Sequence, residues 1–183
     1  MNNQESNTIV DERELLLLGL LRQANMHGYQ LHEFIEANMT LCTDLKRPTV
    51  YSLLDRMADK GWLSFEMAQE GNRPPRRVYR LTSIGEHVFQ AMLVASLSTY
   101  TLTRIAGDVG LAFLDALPPK QAAALLRQRR RAMAAAHQAL LAVPKHRGSL
   151  QLVIEHQRHV LATELDWLDA LIARLESAGV TQD

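Results

Sequence analysis

Apolar residues recur along this chain with two different periods, and the order in which the periods change predicts the architecture. Residues 1–10 are polar and read as a flexible end. Asp11 stands three residues before Glu14, and LLLLGLL follows. An acidic cap followed by a carboxylate three positions on satisfies the first free amides of a helix, so a helix is predicted over 11–23. Residues 23–28 read as a turn. A second helix is predicted over 28–38, with Tyr29, Leu31, Phe34 and Ile35 facing inward. Residues 39–47 form a connector, and Pro48 suits a first helical turn, where its missing N–H costs nothing. In the third helix, over 48–60, Val50, Leu53, Leu54 and Met57 fall at i, i+3, i+4 and i+7, a single buried stripe. Tyr51, Ser52, Asp55 and Asp59 point away from it, and Gly61 is the stop.

Period two then takes over. WLSFEMA places Leu63, Phe65 and Met67 on one side of a half-buried strand, and RVYRL reads as its returning partner across a loop of about residues 68–76. Ser83 with Glu86 predicts a capping box and a helix over 83–104. Only helical patterns follow: a short one over 108–116, one opened by Pro118 and Pro119 and running to about 141, a break at VPKHRG, and a last one over 149–177. On that last helix Leu161, Leu165, Leu168, Ile172 and Leu175 step by 4, 3, 4 and 3, a heptad seam about two heptads long. The predicted fold class is therefore mainly α with a small β-hairpin wing. Three helices and a hairpin over 11–90 make a winged helix-turn-helix, and 91–183 is a separate α-helical domain.

Charge sharpens this reading. The 20 basic and 20 acidic residues cancel, which excludes a strongly charged tail but not a local basic patch. Such a patch exists: GNRPPRRVYR carries Arg73, Arg76, Arg77 and Arg80 at the predicted wing tip. In winged folds the third helix enters the major groove and the wing lies against backbone or minor groove. Guanidinium groups bind phosphates bidentately, and two prolines stiffen the loop that presents them. Duplex DNA is the partner these residues imply. The single cysteine, Cys42, excludes an intrachain disulfide and suits a reducing cytosol. The run Leu15–Leu18 is too short to cross a bilayer, and the acidic first residues are unlike a secretory signal, so a cytoplasmic protein without membrane association is expected.

The stretches MHGYQL (26–31), PTVYSLLDRMADKGWL (48–63) and RPPRRVYRLTSIGE (73–86) together resemble the PadR family of bacterial transcriptional regulators. The family pattern has a second helix opening like HGYEL, a recognition helix like GTLYxxLxRLxxxGLI and an arginine-rich wing ending in YxLTxxG. The stretch EHQRHVLATELDWLDALIARL (155–175) is similar to the family's last helix, so the resemblance covers roughly 12–175. It implies a C-terminal dimerisation domain over 91–183, a homodimer on a near-palindromic operator, a role that is usually repression, and a response to a small molecule. By motif match, Thr49, Tyr51 and Ser52 carry over as recognition-helix contacts and Arg73, Arg76 and Arg77 as wing contacts. Pro48 departs from the family's glycine. Asp55 departs from a commonly basic position; it would repel phosphate or accept from a cytosine amino group.

Other residues admit two readings. Tyr51 is a DNA contact or a packing residue, and Tyr29 reaches a phosphate or fills the core. Lys46 and Arg47 precede the recognition helix and suit phosphates, whereas Arg80 suits a pairing with Glu66. RQRRR (127–131) reads as a salt-bridged or solvated face opposite the acids of the last helix. The seam Leu161, Leu165, Leu168, Ile172 and Leu175 is assigned to dimerisation, and Trp167 beside it to the interface or an effector contact. His137, His146, His156 and His159 lack metal-site spacing, so no metal is expected. Cys42 lies where oxidation would disturb the recognition helix. No phosphate loop, GxSxG or HExxH occurs, so neither enzymatic activity nor a cofactor is expected. The rival readings are another winged-helix family such as the MarR type, and a winged helix that binds protein.

Overall fold

The computed structural model describes residues 10–40, 42–69, 75–100, 102 and 105–180, with side chains to residue 177. The chain divides into two compact units, Met1–Thr101 and Leu102–Asp183. The boundary expected after residue 90 falls inside a helix of the first unit.

In the first unit, α1 (Glu12–Gln23) starts at Asp11, whose carboxylate accepts from the Arg13 amide at 3.1 Å. A two-residue strand β1 (Met26–His27) leads directly into α2 (Gly28–Asn38), and α3 (Arg47–Asp59) follows the connector. Strands β2 (Leu63–Ala68) and β3 (Arg76–Leu81) form the wing, and α4 (Ser83–Ser98) closes the unit. The sheet has the order β1-β3-β2 and is antiparallel throughout, with Met26 opposite Tyr79 and Ala68 opposite Arg76. The expected stripe of α3 is buried as a block: Val50, Leu53, Leu54 and Met57 pack with Leu17, Leu18, Leu31 and Ile35. At its end Gly61 adopts φ 72°, and the Trp62 amide donates to the Met57 carbonyl at 2.9 Å, closing the helix as a left-handed glycine cap does.

Four expectations are corrected. The buried stripe of α2 is Leu31, His32 and Ile35, while Tyr29 and Phe34 are exposed. In β2 only Leu63 is buried; Phe65 is 41% and Met67 61% exposed, because the strand leaves the core and continues as a ribbon. The cap of α4 is Thr82, not Ser83: its hydroxyl accepts from the Gly85 amide at 3.0 Å, and Glu86 pairs instead with Arg22 of α1 at 2.8 Å. This helix ends at Ser98 rather than near 104.

In the second unit, α5 (Asp108–Ala112) and a 3₁₀ turn (Leu114–Ala116) precede an antiparallel pair, α6 (Pro119–Leu141) and α7 (Ser149–Val180). Ala123 and Leu126 of α6 bury against Leu168, Leu171 and Ile172 of α7. Arg158 donates to the carbonyls of Leu140 and Val143 at 2.7 and 3.2 Å, satisfying the free end of α6. No described helix is long and apolar enough to cross a membrane.

Candidate nucleic-acid interface

The connector and α2 deliver an aromatic pair and a cation to one place. Lys46 caps α3 and Arg47 is its first residue; both are exposed. No acid occupies the first turn of α3, so its free amides and the two cations favour negative charge. The Arg47 guanidinium lies over the Tyr29 ring at 5.0 Å and within 5.9 Å of the Tyr51 ring. Tyr51 is half-buried because it leans on Gly28, where an added Cβ would stand 2.7 Å from Tyr51 Cε1. The inner edge of Tyr51 packs and its outer part lines the cleft described below. Tyr29 faces solvent, and hydrogen bonding to Glu33 holds its phenol above the usual range. Thr49 is half-buried and Ser52 exposed.

The wing strand supplies the opposite wall. Arg76 and Arg77 are exposed on β3, and with Arg47, Tyr29 and Tyr51 they border an open cleft of about 850 Å³. β1 fixes the base of this wall, since the Arg77 carbonyl lies 3.2 Å from His27 Nδ1 and His27 pairs with Val78 across the ladder. Arg73, also expected on the wing, lies outside the described residues. Arg80 turns to Glu66 at 2.9 Å, as its position in the strand predicts.

Asp55 is where sequence reasoning misses the local chemistry. Its carboxylate accepts from Arg77 Nη1 at 2.7 Å and from the Tyr79 hydroxyl at 3.3 Å. Hydrogen bonding to Tyr79, reinforced by the charge of Asp55, raises Arg77 above its ordinary value, and burial raises the Tyr79 phenol. Phe65 lies beneath the same guanidinium at 4.4 Å. A signal is present in the sequence: Asp55 has no cation three or four residues away in its own helix, so its partner must come from another element.

At the other end of α3, Arg56 Nε and Lys60 Nζ donate to the buried Glu14 carboxylate of α1 at 3.0 and 3.2 Å. This ties the end of α3 to α1.

Part of the C-terminal seam packs within the chain. Leu168 and Ile172 are buried against α6 of the same chain, Leu175 packs on that cluster, and Leu161 and Leu165 are half-buried. A heptad pattern does not distinguish a neighbour in the chain from one in a partner. Among the described residues the large apolar side chains that α7 leaves outward are Leu152, Val160 and Trp167, the last 44% exposed. The RQRRR face is salt-bridged: Arg127 pairs with Glu176, Arg129 with Glu164 at 3.0 Å and Arg130 with Asp169 at 2.8 Å. Among the described residues no group of three or more His, Cys, Asp or Glu side chains could hold a metal. Burial pushes the Cys42 thiol up, which disfavours the reactive thiolate.

Residues 17–91 match the model of the transcriptional regulator PadR-like family. The negative transcriptional regulator PadR of Bacillus subtilis (strain 168) is 24% identical over 78 residues, 43% of either chain, so the match spans less than half of that relative's length. The crystal structure of Bacillus subtilis PadR in complex with operator DNA superposes with a TM-score of 0.77 at 17% identity, covering 90% of this chain and 99% of that one. Its complex with p-coumaric acid gives 0.76 at 18%, covering 89% and 98%. At these identities the structural likeness is one of fold, and it extends over both units. Family match, curated relative and fold agree in one direction: residues 17–91 form a domain similar to the transcriptional regulator PadR-like family.

Proposed function

We propose that the chain is a sequence-specific DNA-binding repressor that works as a cytoplasmic homodimer. The observation that carries this reading is the cleft itself: Arg47 at the start of α3 and Arg76 and Arg77 on the wing line it together with Tyr29 and Tyr51, and Lys46 precedes Arg47 at the helix start. Cations there meet phosphates, and Thr49, Tyr51 and Ser52 are the recognition-helix side chains offered to bases. Arg73 is carried over from the family motif alone. The operator-bound relative supports the DNA partner, and the word negative in the curated relative's description supports repression.

Two-fold pairing fits the apolar surface that the second unit leaves outward on α7, Leu152, Val160 and Trp167. Dimerisation is assigned to these rather than to the Leu168–Ile172 seam. A dimer presents two recognition helices about 34 Å apart, which calls for a near-palindromic operator. A small-molecule effector that relieves binding is supported by the p-coumaric acid complex of the relative, and Trp167 is a candidate contact. Of the two acids of α3 that would favour a protein partner instead, Asp55 and Asp59, the first is already paired with Arg77.

The test is a mobility shift of the full chain on duplex DNA from upstream of its own gene, with random duplex as competitor and sedimentation of the complex. The reading predicts a shifted band that survives competitor and contains two chains per duplex. No shift at low salt on any duplex would end it.

A further inference from the structure

An acid on the DNA-facing side of a recognition helix demands an explanation, because it adds a negative charge where phosphates approach. We propose that Asp55 is a positioning residue, which joins the recognition helix to the wing by holding Arg77 and so sets the guanidinium at the height of the DNA backbone. The inference rests on the DNA-binding reading above.

Four observations carry it. Asp55 Oδ1 is the shared acceptor of a residue at the centre of the sheet, Tyr79, and of one at its exposed end, Arg77. The Tyr79 ring is buried in the core, which anchors one end of this network. Phe65 of β2 covers one face of the guanidinium at 4.4 Å, restricting it to a plane. The backbone of Arg77 is held as well, since its carbonyl lies 3.2 Å from His27 Nδ1 on β1. Elements α3, β1, β2 and β3 therefore converge on one residue.

The pairing also removes the difficulty with the acid. A guanidinium has five N–H donors, and the contact with Asp55 uses one nitrogen. Donors beyond those engaged by Asp55 and Tyr79 stay available to a phosphate, while the carboxylate charge is compensated by the cation beside it. Fixing a long side chain before binding reduces the entropy lost on docking, which is where a positioning residue acts. Asp55 on this account does not read a cytosine.

The test is a double-mutant cycle in DNA binding, using the full chain, Asp55→Ala, Arg77→Ala and the double variant, with specific and random duplexes over a salt series. The proposal predicts that Asp55→Ala weakens specific binding about tenfold, that random binding changes far less, and that the double variant is no weaker than Arg77→Ala. A merely structural role would not produce this non-additivity at a temperature well below each variant's melting point. Tighter binding of Asp55→Ala to all DNA alike would make the acid a simple repulsive charge and overturn the proposal. Additive losses with relaxed preference at one base pair would make it a base reader and overturn the proposal equally. Coupling seen in thermal melts but not in binding would leave the DNA reading standing and refute the positioning role. Absence of binding by the unaltered chain would refute both.

Discussion

Gly85 sits directly against the backbone of Trp62: a Cβ at Gly85 would collide with the Trp62 carbonyl oxygen and come 2.8 Å from Leu81 Cδ1. The Thr82 hydroxyl donates to the same carbonyl at 3.0 Å and to that of Gly61 at 2.8 Å. The threonine and glycine of the LTSIG stretch thus perform one task, seating the first turn of α4 on the junction between α3 and the wing. Gly85→Ala is predicted to destabilise the fold by about 1–3 kcal/mol or more, because the obstructing atoms are backbone and cannot swing aside. Calorimetric melting checks this.

Glu14 is buried, and two cations from α3 depend on it. Glu14→Gln keeps the shape but removes the charge. It is predicted to cost about 1–2 kcal/mol, discounted because both cations are partly exposed. The urea midpoint should fall with an unchanged slope, since the folded state stays compact.

Asp11 is held at about 2, chiefly by its hydrogen bonds with the Arg13 side chain. A carboxylate depressed in the folded state stabilises above its unfolded value and loses that contribution as pH falls through the folded one. Stability is therefore predicted to decline between about pH 4 and pH 2 by more in the unaltered chain than in Asp11→Asn. Equal acid sensitivity of the two, measured by urea titrations in that range, would contradict the assignment.

The two stripes of α7 make opposite predictions. Leu168 is fully buried within its own chain, so Leu168→Ala should lower stability by about 2–5 kcal/mol. A Val160→Ser/Trp167→Ser variant should sediment as a lighter species and lose the dependence of melting temperature on protein concentration that a dimer shows. Self-association unaffected by the serine pair would move the interface elsewhere.

What is legible in the sequence divides by the range of the interaction. The buried stripe of α3, the stop at Gly61 and the Arg80–Glu66 pairing follow from periods and from neighbours close in the strand register. The family motifs locate the recognition helix and wing. Strand β1 is invisible because two residues have no period. Alternation in β2 is real, but it does not say whether anything covers the apolar side, and beyond Leu63 little does. The heptad on α7 specifies a helical partner without specifying whose, and the partner of Leu168 and Ile172 is α6. Asp55 reads as an isolated acid in the sequence because its partners lie 22 and 24 residues away on another element.

The most direct measurement is fluorescence anisotropy of labelled duplex from upstream of the protein's own gene, comparing Arg47→Ala/Arg76→Ala with Arg127→Ala/Arg131→Ala. The first pair borders the proposed interface; the second removes the same charge from α6. The account predicts that only the first pair weakens specific binding, by about tenfold or more, and flattens the dependence of affinity on salt. Equal losses from both pairs, or a loss from the α6 pair alone, would contradict the assignment of DNA binding to the cleft between α3 and the wing.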